Sequence, residues 1–123
     1  MSAIMRAAEA GQPYRCPVTP AATCWWMSLP CCVDNLLHAA IVDLALVDPQ
    51  RTVTLPVLRL PVGAVVDALA RRFGAQAVAG IRFEPEAAIE EIFGRMPYLE
   101  GSAACIGFSH DGDSDRLVAR ALA

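Results

Sequence analysis

The side chains able to do chemistry here are two tyrosines, two histidines, five cysteines and a short run of aspartates. A phenol becomes a useful base when a nearby cation lowers its pKa, most simply a lysine one helical turn away. The sequence contains no lysine, and all ten of its basic residues are arginine. Neither Tyr14 nor Tyr98 can therefore take part in lysine-assisted proton transfer. Cys16, Cys24, Cys31 and Cys32 lack the paired two-residue spacing of zinc sites, and His38 and His110 lie far apart in the chain. Buried, unreactive thiols are expected instead. His38 follows Asp34 at i,i+4, which predicts a hydrogen bond on a helix surface. Asp111, Asp113 and Asp115 begin like a calcium loop, but the positions that need Gly and Glu hold Arg116 and Leu122. A solvated acidic turn before a helix is the expectation there. The glycines nowhere form the strand–turn–helix spacing that cradles a dinucleotide. No catalytic residue, metal site or cofactor site is assigned to this chain.

Composition narrows the class further. The length of 123 residues suits one domain, residues 1–123. The hydrophobic fraction is 55% and the mean hydropathy +0.41. That excess over what a small surface-rich domain needs excludes disorder and predicts a face that expects cover, hence self-association when it is bare. A net charge of -3 without any basic cluster excludes nucleic acid as partner. An odd cysteine count, the adjacent Cys31 and Cys32, and Arg6 where a secretory leader would be apolar predict reduced thiols in the cytoplasm. From Cys24 to Val47 the chain is strongly apolar, but Asp34, His38 and Asp43 interrupt it. No membrane span is expected; a buried helix is.

These residues need elements to hold them. Residues 2–10 read as a helix closed by Gly11. Pro13, Pro17 and Pro20 restrict residues 14–18 to a short edge strand. Residues 23–27 read as a strand, with Trp25 and Trp26 on opposite faces: one core, the other against a cavity or interface. Ser28 caps a helix with Pro30 in its first turn. Val33, Leu36, Leu37, Ala40, Ile41 and Leu44 give it one apolar stripe, which Pro49 ends. Residues 52–55 read as a strand. Pro61 opens a helix with Val62, Val65, Val66, Leu69, Ala70 and Phe73 on one face, closed by Gly74. Residues 81–84 alternate as a half-buried strand, residues 86–93 form a short helix closed by Gly94, and the tail forms a last helix.

Taken in order, the segments MSAIMRAAEAGQPYRCPV, CWWMSLPCCVDNLLHAAIVD, VTLPVLRLPVGAVVDALARRFG, IRFEPEAAIEEIFGRMP and ACIGF resemble the C-terminal part of D-erythronate dehydrogenases. These belong to the NAD-dependent epimerase/dehydratase group of extended short-chain dehydrogenases. The resemblance rests on order and spacing over nearly the whole chain. It implies an α+β fold, a small mixed sheet with three or four helices, open where a nucleotide-binding half would dock. It also implies a substrate-binding domain without the glycine turn and the catalytic tyrosine and lysine, inactive by itself. NAD would be bound by the full-length family and not by this chain, and the substrate would be a small sugar acid.

By the resemblance, Ser2 and Arg6 lie on the helix reaching the substrate pocket, with Trp25 and Ser28 beside it. The candidate substrate-binding residues are Ser2, Arg6 and Trp25. The chain departs from the family at Ser28-Leu29-Pro30, where the family has Ser-Pro-Arg, at Pro56-Val57, where it has Pro-Gly, and in the shorter SAACIG segment. Two alternatives stay open: a fragment of a sugar-nucleotide epimerase of the same superfamily, and a non-catalytic interaction module.

Overall fold

The computed structural model describes residues 2–99 and 103–123. Helix α1 (Ser2–Glu9) buries Ile4, Met5 and Ala8 and ends at Gly11, whose φ of 60° is a left-handed turn that glycine takes without strain. Strand β1 (Tyr14–Cys16) follows, then β2 (Thr23–Trp26) and helix α2 (Leu29–Ala39). Strand β3 (Leu58–Pro61) runs directly into α3 (Val62–Phe73). A single helical turn, α4 (Ala75–Val78), precedes β4 (Ile81–Phe83), α5 (Ala87–Phe93) and α6 (Ser114–Ala121).

The class is α+β, as expected, and the strand pairing is mixed. It is divided between two two-stranded sheets: β1 lies parallel to β4, and β2 antiparallel to β3. A parallel bridge between Thr23 and Arg95 ties the β2–β3 pair to the end of α5. The β2–β3 register sets Trp26 opposite Leu58 and Cys24 opposite Leu60. Trp26 is in the core and Trp25 is 38% exposed, so the two tryptophans do face opposite ways.

Helix α3 is the centre of the core. Val62, Val65, Ala68 and Leu69 are all completely buried, at the i, i+3, i+6, i+7 spacing of one helix face. Leu117 and Val118 of α6 and the buried face of α1 pack against it. Each such aliphatic side chain contributes roughly 1.5–3 kcal/mol by leaving water. At its N-terminus, Gly63 donates its N–H to Pro20 O at 2.8 Å, and a Cβ there would sit 3.1 Å from that oxygen. The close approach of backbone to backbone is what requires glycine at this position.

Four expectations are corrected. The helix after Ser28 stops at Ala39 rather than running to Pro49. Asp43 accepts a hydrogen bond from the Ala45 N–H at 2.9 Å and Asp48 one from the Gln50 N–H at 2.7 Å. These side chains offer the backbone local turns in place of further helix. Residues 52–55 form no strand; β2 takes Leu58–Pro61 as its partner, where Leu58 meets the buried Trp26.

The third correction concerns how α2 faces. It is not a buried helix with its apolar stripe inward. Leu36 and Leu37 are 63% and 64% exposed, Leu29 and Val33 are exposed as well, and Ile41, just past the helix end, is 82% exposed. What α2 turns to the protein is polar. Asn35 donates to Ser109 O at 2.8 Å and accepts from the Ser109 N–H at 3.0 Å. His38 Nε2 lies 2.7 Å from Ile106 O, and its ring meets Phe108 edge-on at 4.8 Å. The expected Asp34–His38 hydrogen bond is replaced: Asp34 pairs with Arg120 of α6 at 2.5 Å. A helix with its amphipathicity turned outward presents an apolar surface to whatever lies beyond the chain.

Candidate functional site

Together with Ser28, two of the residues singled out from the sequence, Arg6 and Trp25, line one groove. Its volume is about 620 Å³, within the ~300–1,000 Å³ of small-molecule sites. Met5 and Arg6 come from α1, Trp25, Met27 and Ser28 from the end of β2 and the turn after it, Cys32 from α2, and Leu122 from the end of α6. Ser2 is the first residue of α1, but its side chain lies outside the described residues.

Arg6 offers the one guanidinium among the residues lining this groove. Its side chain is 70% exposed and bonded to Glu9 at 3.2 Å on the same helix. An exposed i,i+3 pair is held by only about 0.2–0.5 kcal/mol, so an incoming carboxylate can displace Glu9 at little cost. Trp25 is fixed in orientation by its Nε1–H, which donates to Pro97 O at 2.8 Å. Trp25 and Trp26 both line the groove.

Ser28 is committed elsewhere. Its Oγ–H donates to Asp111 Oδ1 at 2.5 Å, its backbone N–H donates to Asp111 Oδ2 at 2.8 Å, and its Oγ accepts from the Cys31 N–H at 3.2 Å. It is the N-cap of α2 and has no proton left for a ligand. Asp111 is thus a buried anchor, 3% exposed, correcting the expectation of a solvated turn. The rest of the aspartate run is also structural. Asp113 caps α6 by accepting from the Arg116 N–H at 2.8 Å, and Asp115 pairs with Arg71. No group of three or more metal-ligating side chains occurs among the described residues.

Burial raises the thiol pKa of Cys31, with the nearby Asp111 carboxylate adding to the effect, and burial likewise raises that of Cys24. Both favour the unreactive thiol. All five cysteines are free. Sequence reasoning missed Asp111 and Arg120 as the pair that anchors the base of the groove wall. Arg120 reaches Asp111 at 3.6 Å and Asp34 at 2.5 Å. No spacing signal links Asp111 to Ser28 or Arg120 to Asp34, pairs more than eighty residues apart in the chain.

A dinucleotide does not fit the residues described. The strand-to-helix junctions are Met27-Ser28, then Pro61 running straight into Val62, then Glu84-Pro85-Glu86. None offers a glycine turn for a pyrophosphate, and the last carries two carboxylates that would repel one. Among the described residues, no helix is long and apolar enough to cross a membrane.

This arrangement is similar to part of a sugar-nucleotide epimerase and of dehydrogenases, in keeping with the resemblance read from the sequence. The nucleoside-diphosphate-sugar epimerase of Agrobacterium tumefaciens superimposes with a TM-score of 0.84 at 30% identity, covering 94% of this chain and 34% of that one. An L-threonine dehydrogenase of Cupriavidus necator shares the fold at a TM-score of 0.76 and 19% identity, covering 98% of this chain and 43% of its own length. In sequence, the chain is 28% identical over 119 residues to the D-erythronate dehydrogenase of Cupriavidus necator. That match covers 95% of this chain and 37% of the dehydrogenase. The chain therefore spans between 34% and 43% of the length of these relatives. No protein-family model matches it.

Proposed function

We propose that this chain is the substrate-side portion of an NAD-dependent sugar-acid dehydrogenase, and that it holds a small hydroxy acid without doing the chemistry itself. The observation that carries the reading is the groove lined by both Arg6 and Trp25. A guanidinium recognises a carboxylate by paired N–H donors, and an indole wall keeps water from one side of it. The similarity to D-erythronate dehydrogenase supports an acid rather than a sugar nucleotide as the occupant.

Proton and hydride transfer belong in this reading to a nucleotide-binding portion that supplies NAD and the catalytic tyrosine and lysine. The bare apolar face of α2 is the natural surface for that portion to cover, since Leu36, Leu37 and Ile41 lose exposure only if something packs on them. Unpaired, the same face favours self-association. Five free thiols suit a reducing, cytoplasmic compartment.

The test uses the chain joined to a matching nucleotide-binding portion. Arg6→Ala should lower kcat/KM for D-erythronate at least tenfold, a loss of about 1.4 kcal/mol of transition-state binding, with little change in Tm. Trp25→Phe should raise KM with a smaller effect on kcat. If both variants melt earlier and keep their kinetics, the two residues are structural and the assignment fails.

A further inference from the structure

Behind Trp25 lies a second, separate cavity of about 400 Å³, lined by Tyr14, Cys24, Trp25, Ile89, Phe93 and Met96 among others. It opens between β1, β2 and α5, away from Arg6. Trp25 is the one residue shared with the groove. We propose that this cavity is a binding site for a small, neutral, planar aromatic molecule of indole size. The inference goes beyond the sugar-acid reading and does not depend on it.

The walls select that chemistry. No residue lining the cavity is charged, so nothing there offsets the desolvation of an ion. Two of the donors on the walls are already spent: the Cys24 thiol donates to Phe93 O at 3.1 Å, and the Trp25 indole to Pro97 O at 2.8 Å. A polar ligand would exchange its water for few partners. What the cavity offers is three aromatic rings, from Tyr14, Trp25 and Phe93, with the thioether of Met96, all of which favour a flat apolar guest. The volume lies within the range of small-molecule pockets. Burial also raises the Tyr14 pKa, as an apolar setting should.

The methionines permit a direct test. Met96 lines the cavity, whereas Met5 and Met27 line the groove. The full chain is labelled with carbon-13 at the methionine methyls, assigned through Met96→Leu, and titrated with indole and separately with D-erythronate. Indole should shift the Met96 methyl in a saturable way, with a dissociation constant on the order of 1 mM or below, and leave Met5 and Met27 unmoved. Indole-3-carboxylate should bind at least tenfold more weakly. Met96→Trp, which fills the cavity, should weaken indole binding at least tenfold, followed by the quenching of an added fluorescent aromatic; Ile89→Phe provides a second filling variant if the first does not fold.

The proposal is overturned if indole leaves Met96 unmoved, or if it moves only Met5 and Met27. It is also overturned if Met96 shifts with protein concentration alone, because a second copy then occupies the cavity. D-erythronate reports on Met5 and Met27 independently, so failure of the sugar-acid reading is distinguishable from failure of this one.

Discussion

Ser28 and Asp111 are held together by two hydrogen bonds across 83 residues, Oγ–H to Oδ1 at 2.5 Å and N–H to Oδ2 at 2.8 Å. One buried carboxylate thereby anchors the start of α2 and, through it, one wall of the groove that holds Arg6 and Trp25. Asp111→Ala leaves the buried Ser28 N–H without an acceptor, a loss of about 1–3 kcal/mol by denaturant titration. Asp111→Asn keeps one acceptor and should cost less. If Asp111→Ala unfolds at the same midpoint as the parent, the anchor is unimportant.

Glu90 accepts from both the N–H and the Oγ1–H of Thr19, at 2.9 and 2.6 Å, and these bonds hold its pKa below the ordinary value of 4.5. A lowered carboxylate pKa means the folded state favours the charged form. The stabilisation is fully present above that ordinary value and is lost as the pH falls through the lowered one. Glu90→Gln should therefore be less stable than the parent at neutral pH, and the gap in Tm should close on acidification. A gap that is constant with pH would refute this linkage.

The thiols should differ in reactivity. Cys105 is exposed, Cys32 half-buried, and Cys16, Cys24 and Cys31 buried. Alkylation at neutral pH, followed by mass spectrometry of peptides, should modify Cys105 first and Cys32 next, sparing the others until the chain unfolds. Early labelling of Cys31 would show that its packing against Ser109 opens readily.

The outward-facing α2 predicts unequal effects on its two faces. Leu36→Gln and Ile41→Gln, at 63% and 82% exposure, should change stability by no more than about 0.5 kcal/mol while reducing self-association and hydrophobic-dye binding. Asn35→Leu, which makes α2 look more conventionally amphipathic, should destabilise by about 1–3 kcal/mol because the Ser109 N–H and C=O lose their partners. Sedimentation and thermal melts of the three variants check this; a stabilised Asn35→Leu would contradict the orientation of the helix.

The strand-to-helix junctions carry no glycine turn and one carries Glu84 and Glu86. Calorimetric titration of the isolated chain with NAD should accordingly give no saturable heat, and no sugar acid should reduce NAD in its presence. Stoichiometric binding would place a cofactor site where no pyrophosphate cradle is evident.

Much of the local structure was legible in the sequence by itself. Ser28 caps a helix by accepting from a backbone N–H three residues on, Gly11 and Gly74 end helices with positive φ, and Trp25 and Trp26 diverge because a strand alternates its side chains. These follow from hydrogen bonds and chirality acting over a few residues. So does the α3 stripe, of which Val62, Val65 and Leu69 are in the core and Val66 packs against it, while Phe73 at its end is exposed. The apolar stripe of α2 was equally legible, but its direction was not. Periodicity says that one face of a helix is apolar and leaves open which face the fold covers. That was decided by Ser109, Ile106 and Asp111, whose backbone and carboxylate groups required polar partners from Asn35, His38 and Ser28. The replacement of residues 52–55 by Leu58–Pro61 as a strand has the same origin, since a strand exists only where a partner pairs with it. Only the tertiary structure brought Arg6 and Trp25 to one groove, because burial and long-range pairing depend on what arrives from elsewhere in the chain.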